Sequence, residues 1–347
     1  MEDVMNGHPA KTSPTPTLHR AWIAPTVTAL VIGMAFVAIY VGLQRDPEPD
    51  GIPIAVVGES LQQQVMTGLG DRVAVSDVDS LSAGRSLVEN GSTVGVLAVD
   101  GAGSVQLEYA SAAGLSEAGA VRALAQGVAT AADLELVEHD IVPLVEFDSR
   151  GLVSFYVVFG VTLSSFILAQ SLSGNAATVR LRHRLLILTG FAVLIGLAAA
   201  VLVGPVFGAV TTPFPALASI LVLLSAASAF STKALVTWLG PAGMGVAVLL
   251  LTVAGNATSG ASIGFDLLPR WAQFLSDVLP QGSAVRALQS AGYFDGSAVL
   301  QSVLVLACWA VIGFGLVIAH RARTVTTNRR SKRSERPAHL TASAEIR

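Results

Sequence analysis

The amino-acid sequence predicts an α-helical polytopic membrane protein, six transmembrane helices arranged 1+5, with an inserted extracytoplasmic α/β domain. Three observations lead there. Of the 347 residues, 52% are hydrophobic and only 13% charged, too little charge to clothe a soluble protein of this length. Apolar runs close to the roughly 20 residues that a bilayer crossing requires recur along the chain. Between the first and second of them lies a polar stretch, residues 44–151, in which strand-like and helix-like patterns alternate.

Residues 1–20 are polar and interrupted by Pro9, Pro14 and Pro16, the composition of a disordered cytoplasmic tail. Residues 21–43 form the first span. The run is longer than the apolar centre of a signal peptide and no small-residue cleavage site follows it, so it reads as an uncleaved signal anchor. Trp22 and Tyr40 flank it, where amphipathic rings favour the membrane interface.

Within the insert, residues 52–57, 73–75, 94–99 and 105–109 read as strands, and 136–144 as a closing extended segment. Residues 60–69, 80–89 and 116–134 read as helices. This alternation predicts a small α/β domain with a mixed sheet, and about 100 residues suffice to bury a core. The insert is acidic. Its only arginines are Arg72, Arg85, Arg122 and Arg150, with Arg45 at its edge, and it has no lysine. Nucleic acid, which needs a basic surface, is excluded as a partner.

The remaining spans are 152–172, 185–207, 216–230, 235–254 and 298–319, making a five-helix part over 152–319. A polar loop at 173–184 carries Arg180, Arg182, His183 and Arg184. A proline-containing turn falls at 210–215, and a turn at 231–237 holds Lys233. A basic tail occupies 320–347. Even numbers of spans separate the tail, the arginine loop and Lys233, so all three share a side, which the positive-inside rule makes cytoplasmic. Both termini then lie inside and the insert outside. An exported domain without disulfides fits a bacterial cytoplasmic (inner) membrane. The single cysteine, Cys308, falls in the last span and reads as a packing residue.

The outer segment, 256–296, begins as a Gly/Ser/Thr-rich turn. It continues as two short amphipathic pieces introduced by Pro269 and Pro280, too short to cross a bilayer and too apolar for a free loop. A helical pair lying in or dipping into the interface is expected. Phe265, Leu268, Pro269, Trp271, Phe274, Leu279, Pro280, Tyr293 and Phe294 are the candidate outer gate. Asp266, Arg270 and Asp277 are expected at its wet edge, and Arg286 to pair with Asp277 or Asp295.

Patterns that carry chemistry are sparse. Gly260-Ala261-Ser262-Ile263-Gly264 matches the nucleophile elbow, but an apolar span precedes it where that motif needs a strand, so a flexible turn is the better reading. Glu138-His139-Asp140 lacks further His or Cys in the insert to complete a metal set and reads as a solvated strand edge. The only lysines are Lys11, Lys233 and Lys332, none preceded by glycine, so there is no P-loop. No Asp, Glu, Lys or Arg falls at the centre of a predicted span, which argues against a self-powered ion-coupled antiporter. The chain reads as a non-enzyme without cofactor or metal. Small residues such as Gly190, Gly196 and Ala198 to Ala200 are expected to let helices approach closely. Arg180, Arg182 and Arg184 serve either as topogenic charges or as a docking surface for a cytoplasmic ATPase.

The order of parts resembles the type-2 ABC exporter permease superfamily, and more closely its actinobacterial members near the phage-infection-protein branch. The residues that carry the resemblance are Asp140-Ile141-Val142-Pro143-Leu144, Asp148-Ser149-Arg150-Gly151, Gly255-Asn256 with Ser259-Gly260, Leu267-Leu268-Pro269, Leu279-Pro280 and Tyr293-Phe294-Asp295-Gly296. Two departures stand out. The chain has GNATSGA where members commonly read GNPSSGG, and no amphipathic helix precedes its first span. The resemblance implies a permease subunit in a homodimer or pseudo-heterodimer within the lipid bilayer. A separate ABC ATPase would bind the 173–184 loop, and outer re-entrant helices would shape an exit for a lipidic, drug-like or peptide substrate. The alternative it leaves open is a non-transporting scaffold, secretion accessory or envelope receptor acting through the insert.

Overall fold

The computed structural model describes residues 23–45, 47–101, 103–174 and 179–335. The expected tail at 1–20 and Trp22 lie outside them. The chain is mostly helical, with five apolar helices long enough to cross a membrane and one small α/β sheet.

Helix α1 (Ile23–Gln44) leads into the α/β domain. Its elements are β1 (Ile52–Val57), α2 (Glu59–Leu69), β2 (Val73–Val78), α3 (Leu81–Glu89), β3 (Gly95–Val99), β4 (Ser104–Tyr109), α4 (Leu115–Ala132) and β5 (Glu135–Asp140). The strand order is β2-β1-β3-β4-β5; only the β3–β4 pair is antiparallel, so the sheet is mixed. The sequence Ile-Pro-Ile-Ala-Val-Val of β1 is apolar without alternation because both faces of this inner strand are covered. Leu61 and Val65 of α2 and Val121, Ala125 and Ala129 of α4 pack on one face with Ile52, Ile54, Leu97 and Leu107. Val88 of α3 packs on the other with Ala55, Val96 and Ala110.

The helical bundle comprises α5 (Val153–Gly174), α6 (Leu181–Val201, continued as a π-helix over Leu202–Val206), α7 (Phe214–Leu239), α8 (Pro241–Ala247), α9 (Gly255–Ala257), α10 (Arg270–Val278), α11 (Pro280–Tyr293) and α12 (Val299–Glu335). A second π-helix, Val248–Ala254, joins α8 to α9. Asp148 starts α5 by accepting the N–H groups of Leu152 (2.9 Å) and Val153 (3.1 Å). Helix α7 is the hub, packed against α5, α6, α8, α11 and α12. Three glycines let neighbours reach its backbone: a Cβ on Gly196 of α6 would lie 2.6 Å from the Val222 nitrogen, one on Gly313 of α12 2.8 Å from the Ser231 nitrogen, and one on Gly243 of α8 2.8 Å from the Val236 Cα. Gly190 abuts nothing. Gly196→Leu is therefore expected to destabilise the bundle by about 1–3 kcal/mol, while Gly190→Leu leaves it unchanged; thermal unfolding in detergent reads both.

Three expectations need correction, and the basic stretch gains a helical form. Lys233 does not sit in a turn: residues 231–237 continue α7, and the break comes at Gly240 (φ +60) followed by Pro241, the pair that cannot extend a helix. The expected span at 235–254 is instead the shorter apolar helix Pro241–Ala257, about 26 Å at α-helical rise. The basic stretch after 319 extends α12 as helix to Glu335. Cys308 is exposed on α12, not packed.

Candidate functional sites at the two ends of the bundle

The outer segment leaves the Pro241–Ala257 helix, passes through the bends at 258–264 and lies against the sheet. Ile263, Leu267, Leu268 and Ala272 complete the α2/α4 core of the α/β domain. From the other end of the segment, Phe294 (7% exposed) fills the α3 side with Val88 and Val96. The chain aims Phe294 there by ending α11 in a tight reversal: the N–H groups of Phe294 and Gly296 both reach the Ser290 carbonyl, with Asp295 and Gly296 in the left-handed region. Tyr293 accepts the Val145 N–H through its hydroxyl at 3.4 Å. Both sheet faces are thus held by one segment that lies far away in sequence.

The nine proposed gate residues do not converge. Leu268 and Phe294 are core residues of the domain, and Leu279 and Pro280 are enclosed at the α10–α11 junction. Trp271 and Phe274 project outward from α10. Pro269 and Trp271 border a groove of about 830 Å³ between the end of α1 and the domain. Phe265 lies under the Arg286 guanidinium, 5.5 Å from its ring centre. Helix α10 has the expected exposed apolar stripe, whereas α11 is buried on nearly every side, between α5, α7, α10 and α12. Arg286 ties the two helices together: it donates to Ser276 Oγ (2.8 Å) and the Ser276 carbonyl (3.0 Å) and pairs with Asp277 at 3.2 Å.

A carboxyl group closes the junction. Glu117, in the first turn of α4, is 4% exposed and its Oε1 accepts the Asp266 N–H at 3.0 Å. Gly264, the last glycine of the elbow-like motif, provides the seat, for a Cβ there would overlap the Glu117 carboxyl. Burial pushes Glu117 up to about 8, with Asp266 adding to the rise and the N–H groups of Asp266 and Phe265 opposing it. Asp266 is half-buried, and burial, then Asp50, raise its carboxyl to about 6. Arg270 is exposed and pairs with Asp50 at 3.6 Å. The elbow motif itself follows a helix and bends, not a strand.

At the opposite end, Arg180 stands just before α6, and Arg182 and Arg184 lie on its first turn, so two of the three expected loop arginines are helical. They line a cavity of about 740 Å³ together with Ser173, Leu181, Lys233, Val236, Thr237, Val317, His320 and Arg321. Lys233, 4% exposed, donates to Ser173 Oγ at 2.9 Å.

Elsewhere, Glu138 pairs with Arg122 at 2.7 Å and Asp140 accepts the Ser111 N–H on the edge strand β5. Among the described residues no group of His, Cys, Asp and Glu is placed to hold a metal ion. Buried polar atoms run through the bundle without hydrogen-bond partners: Thr162 Oγ1, Ser228 Oγ, Thr232 Oγ1, Asn256 Oδ1, Ser283 Oγ and both side-chain atoms of Gln281. No protein-family model, curated protein or solved structure matches the chain.

Proposed function

We propose that the chain is the permease subunit of an ABC-type exporter in a bacterial cytoplasmic membrane, working as a dimer with a separately encoded ATPase. The observation that supports this reading is the set of buried side-chain polar atoms without hydrogen-bond partners inside an apolar bundle. In lipid such groups cost free energy unless water, substrate or a neighbouring helix satisfies them. Asn256, Gln281 and Ser283 sit where the enclosed helix α11 meets the Pro241–Ala257 helix, and a Cβ at Gly255 would overlap Gln281. A lipidic, drug-like or peptide cargo with polar groups would find partners among these atoms. In this reading Pro241–Ala257 is a short sixth span, the arginine-rich end and both termini are cytoplasmic, and the α/β domain stands outside.

The test is affinity purification in mild detergent. A P-loop ATPase is expected to co-purify, and Arg180→Ala, Arg182→Ala and Arg184→Ala together are expected to lose it while the chain still inserts. Because that ATPase is cytosolic, its loss from the triple variant also reports which end faces the cytosol. Equal retention by the triple variant would overturn the docking assignment. If the wild type retains no ATPase, the exporter reading fails and the chain acts as a scaffold through its α/β domain.

A further inference from the structure

The cavity at the arginine-rich end carries a charge imbalance. Arg180, Arg182, Arg184 and Lys233 line it, and among the described residues no carboxylate does. Lys233 is nearly enclosed, yet its ammonium donates to a neutral hydroxyl, Ser173 Oγ. The Nε of Arg184 is buried without a hydrogen-bond partner. Helix α6 begins at the cavity wall with no side-chain cap and no acidic residue in its first turn. Its free N–H groups and helix dipole therefore add positive potential at the same place.

An enclosed lysine without a counter-charge, ringed by more exposed arginines, is costly, so an anion belongs here. The chemistry of the donors selects among anions. Guanidinium forks match the oxygens of a phosphate, a lysine adds a point charge, and a helix N-terminus is a ready phosphate seat. The size of the cavity, about 740 Å³, exceeds what a bare phosphate fills, and α7 and α12 give it an apolar wall. We propose that this cavity binds the phosphate group of a phosphate ester, with Lys233, Arg182 and Arg184 as its principal partners. This inference does not depend on the exporter reading, since it requires neither an ATPase nor a transported cargo.

The ester has two sources, an anionic lipid headgroup or a soluble phosphate, and one experiment separates them. The full chain is placed in phosphatidylcholine nanodiscs, with or without phosphatidylglycerol. Thermal unfolding is followed as glycerol 3-phosphate or inorganic phosphate is titrated against a chloride control, and native mass spectrometry counts retained lipid. A saturable rise in unfolding temperature is expected in at least one arm. Lys233→Met is expected to weaken that response at least tenfold. Arg182→Gln, a change at an exposed position, is expected to do the same and decides the matter if the lysine variant does not fold. A response to phosphatidylglycerol alone assigns a lipid headgroup, and a response to glycerol 3-phosphate assigns a soluble ester. No response in any arm above the phosphatidylcholine and chloride baseline overturns the proposal. So does an unchanged response in Arg182→Gln together with any folded Lys233 variant.

Discussion

Phe294→Ala is expected to destabilise the protein by about 3–5 kcal/mol, the cost of emptying an aromatic site in a packed core. The ring is 7% exposed and lies among Ala55, Val88, Val96, Ala110 and Ala112. A Cβ on Gly91 would come within 2.8 Å of it, so the chain of the α/β domain closes tightly over the ring. The surroundings cannot collapse easily into the space, because the ring is held by the reversal at Asp295 and Gly296 and the opposite wall is a sheet. The loss should be local. Hydrogen exchange in α3 and around residues 90–94 is expected to rise, while α6 and α7 keep their protection. Unchanged exchange in α3 would show that the domain does not rely on this plug.

The elements of the α/β domain were readable because their signals are local. Alternating strand and helix patterns placed β1 to β5 and α2 to α4 within a few residues of where they lie. The long apolar runs marked α1, α5, α6, α7 and α12 for the same reason. The turn lies not at 231–237, around Lys233, but just before the Pro241–Ala257 helix. The stronger signal was Gly240-Pro241, since a lysine near a helix end can remain helical and a Gly-Pro pair cannot. The attachment of the outer segment was not readable at all. Its apolar residues suit lipid and a protein core equally well, and nothing local in Leu268 or Phe294 distinguishes the two. Only the fold, which brings them against strands far away in sequence, decides that they are core residues. Glu117 was missed for a similar reason. An acid in the first turn of a helix is commonplace at a surface, and its burial depends on Gly264 arriving from elsewhere.

Raising the pH from 5 to 9 is expected to weaken the attachment of the α/β domain to the outer segment, through Glu117. In the folded protein its carboxyl holds a proton to about pH 8, whereas in the unfolded chain it gives it up near 4.5. Between those values the folded state binds the extra proton, so stability falls as pH rises. Below about 4.5 both states are protonated, and above about 8 neither is, so the slope is confined to the window between them. Within it the loss approaches about 1.4 kcal/mol per pH unit. Asp266, raised to about 6 from 3.8, slopes the same way but only over the lower part of the range. The fall between about pH 6 and 8 is therefore the signature of Glu117. Glu117→Gln keeps the shape and an acceptor for the Asp266 N–H without a charge to bury. It is expected to match the wild type at pH 5, to exceed it in stability by several kcal/mol at pH 9, and to lose the slope above pH 6. Thermal unfolding across pH, with hydrogen exchange at residues 264–268, measures both. Parallel profiles for the two proteins would mean that Glu117 is already ionised at neutral pH, and that the Gly264 seat holds a carboxylate satisfied by its two backbone N–H donors.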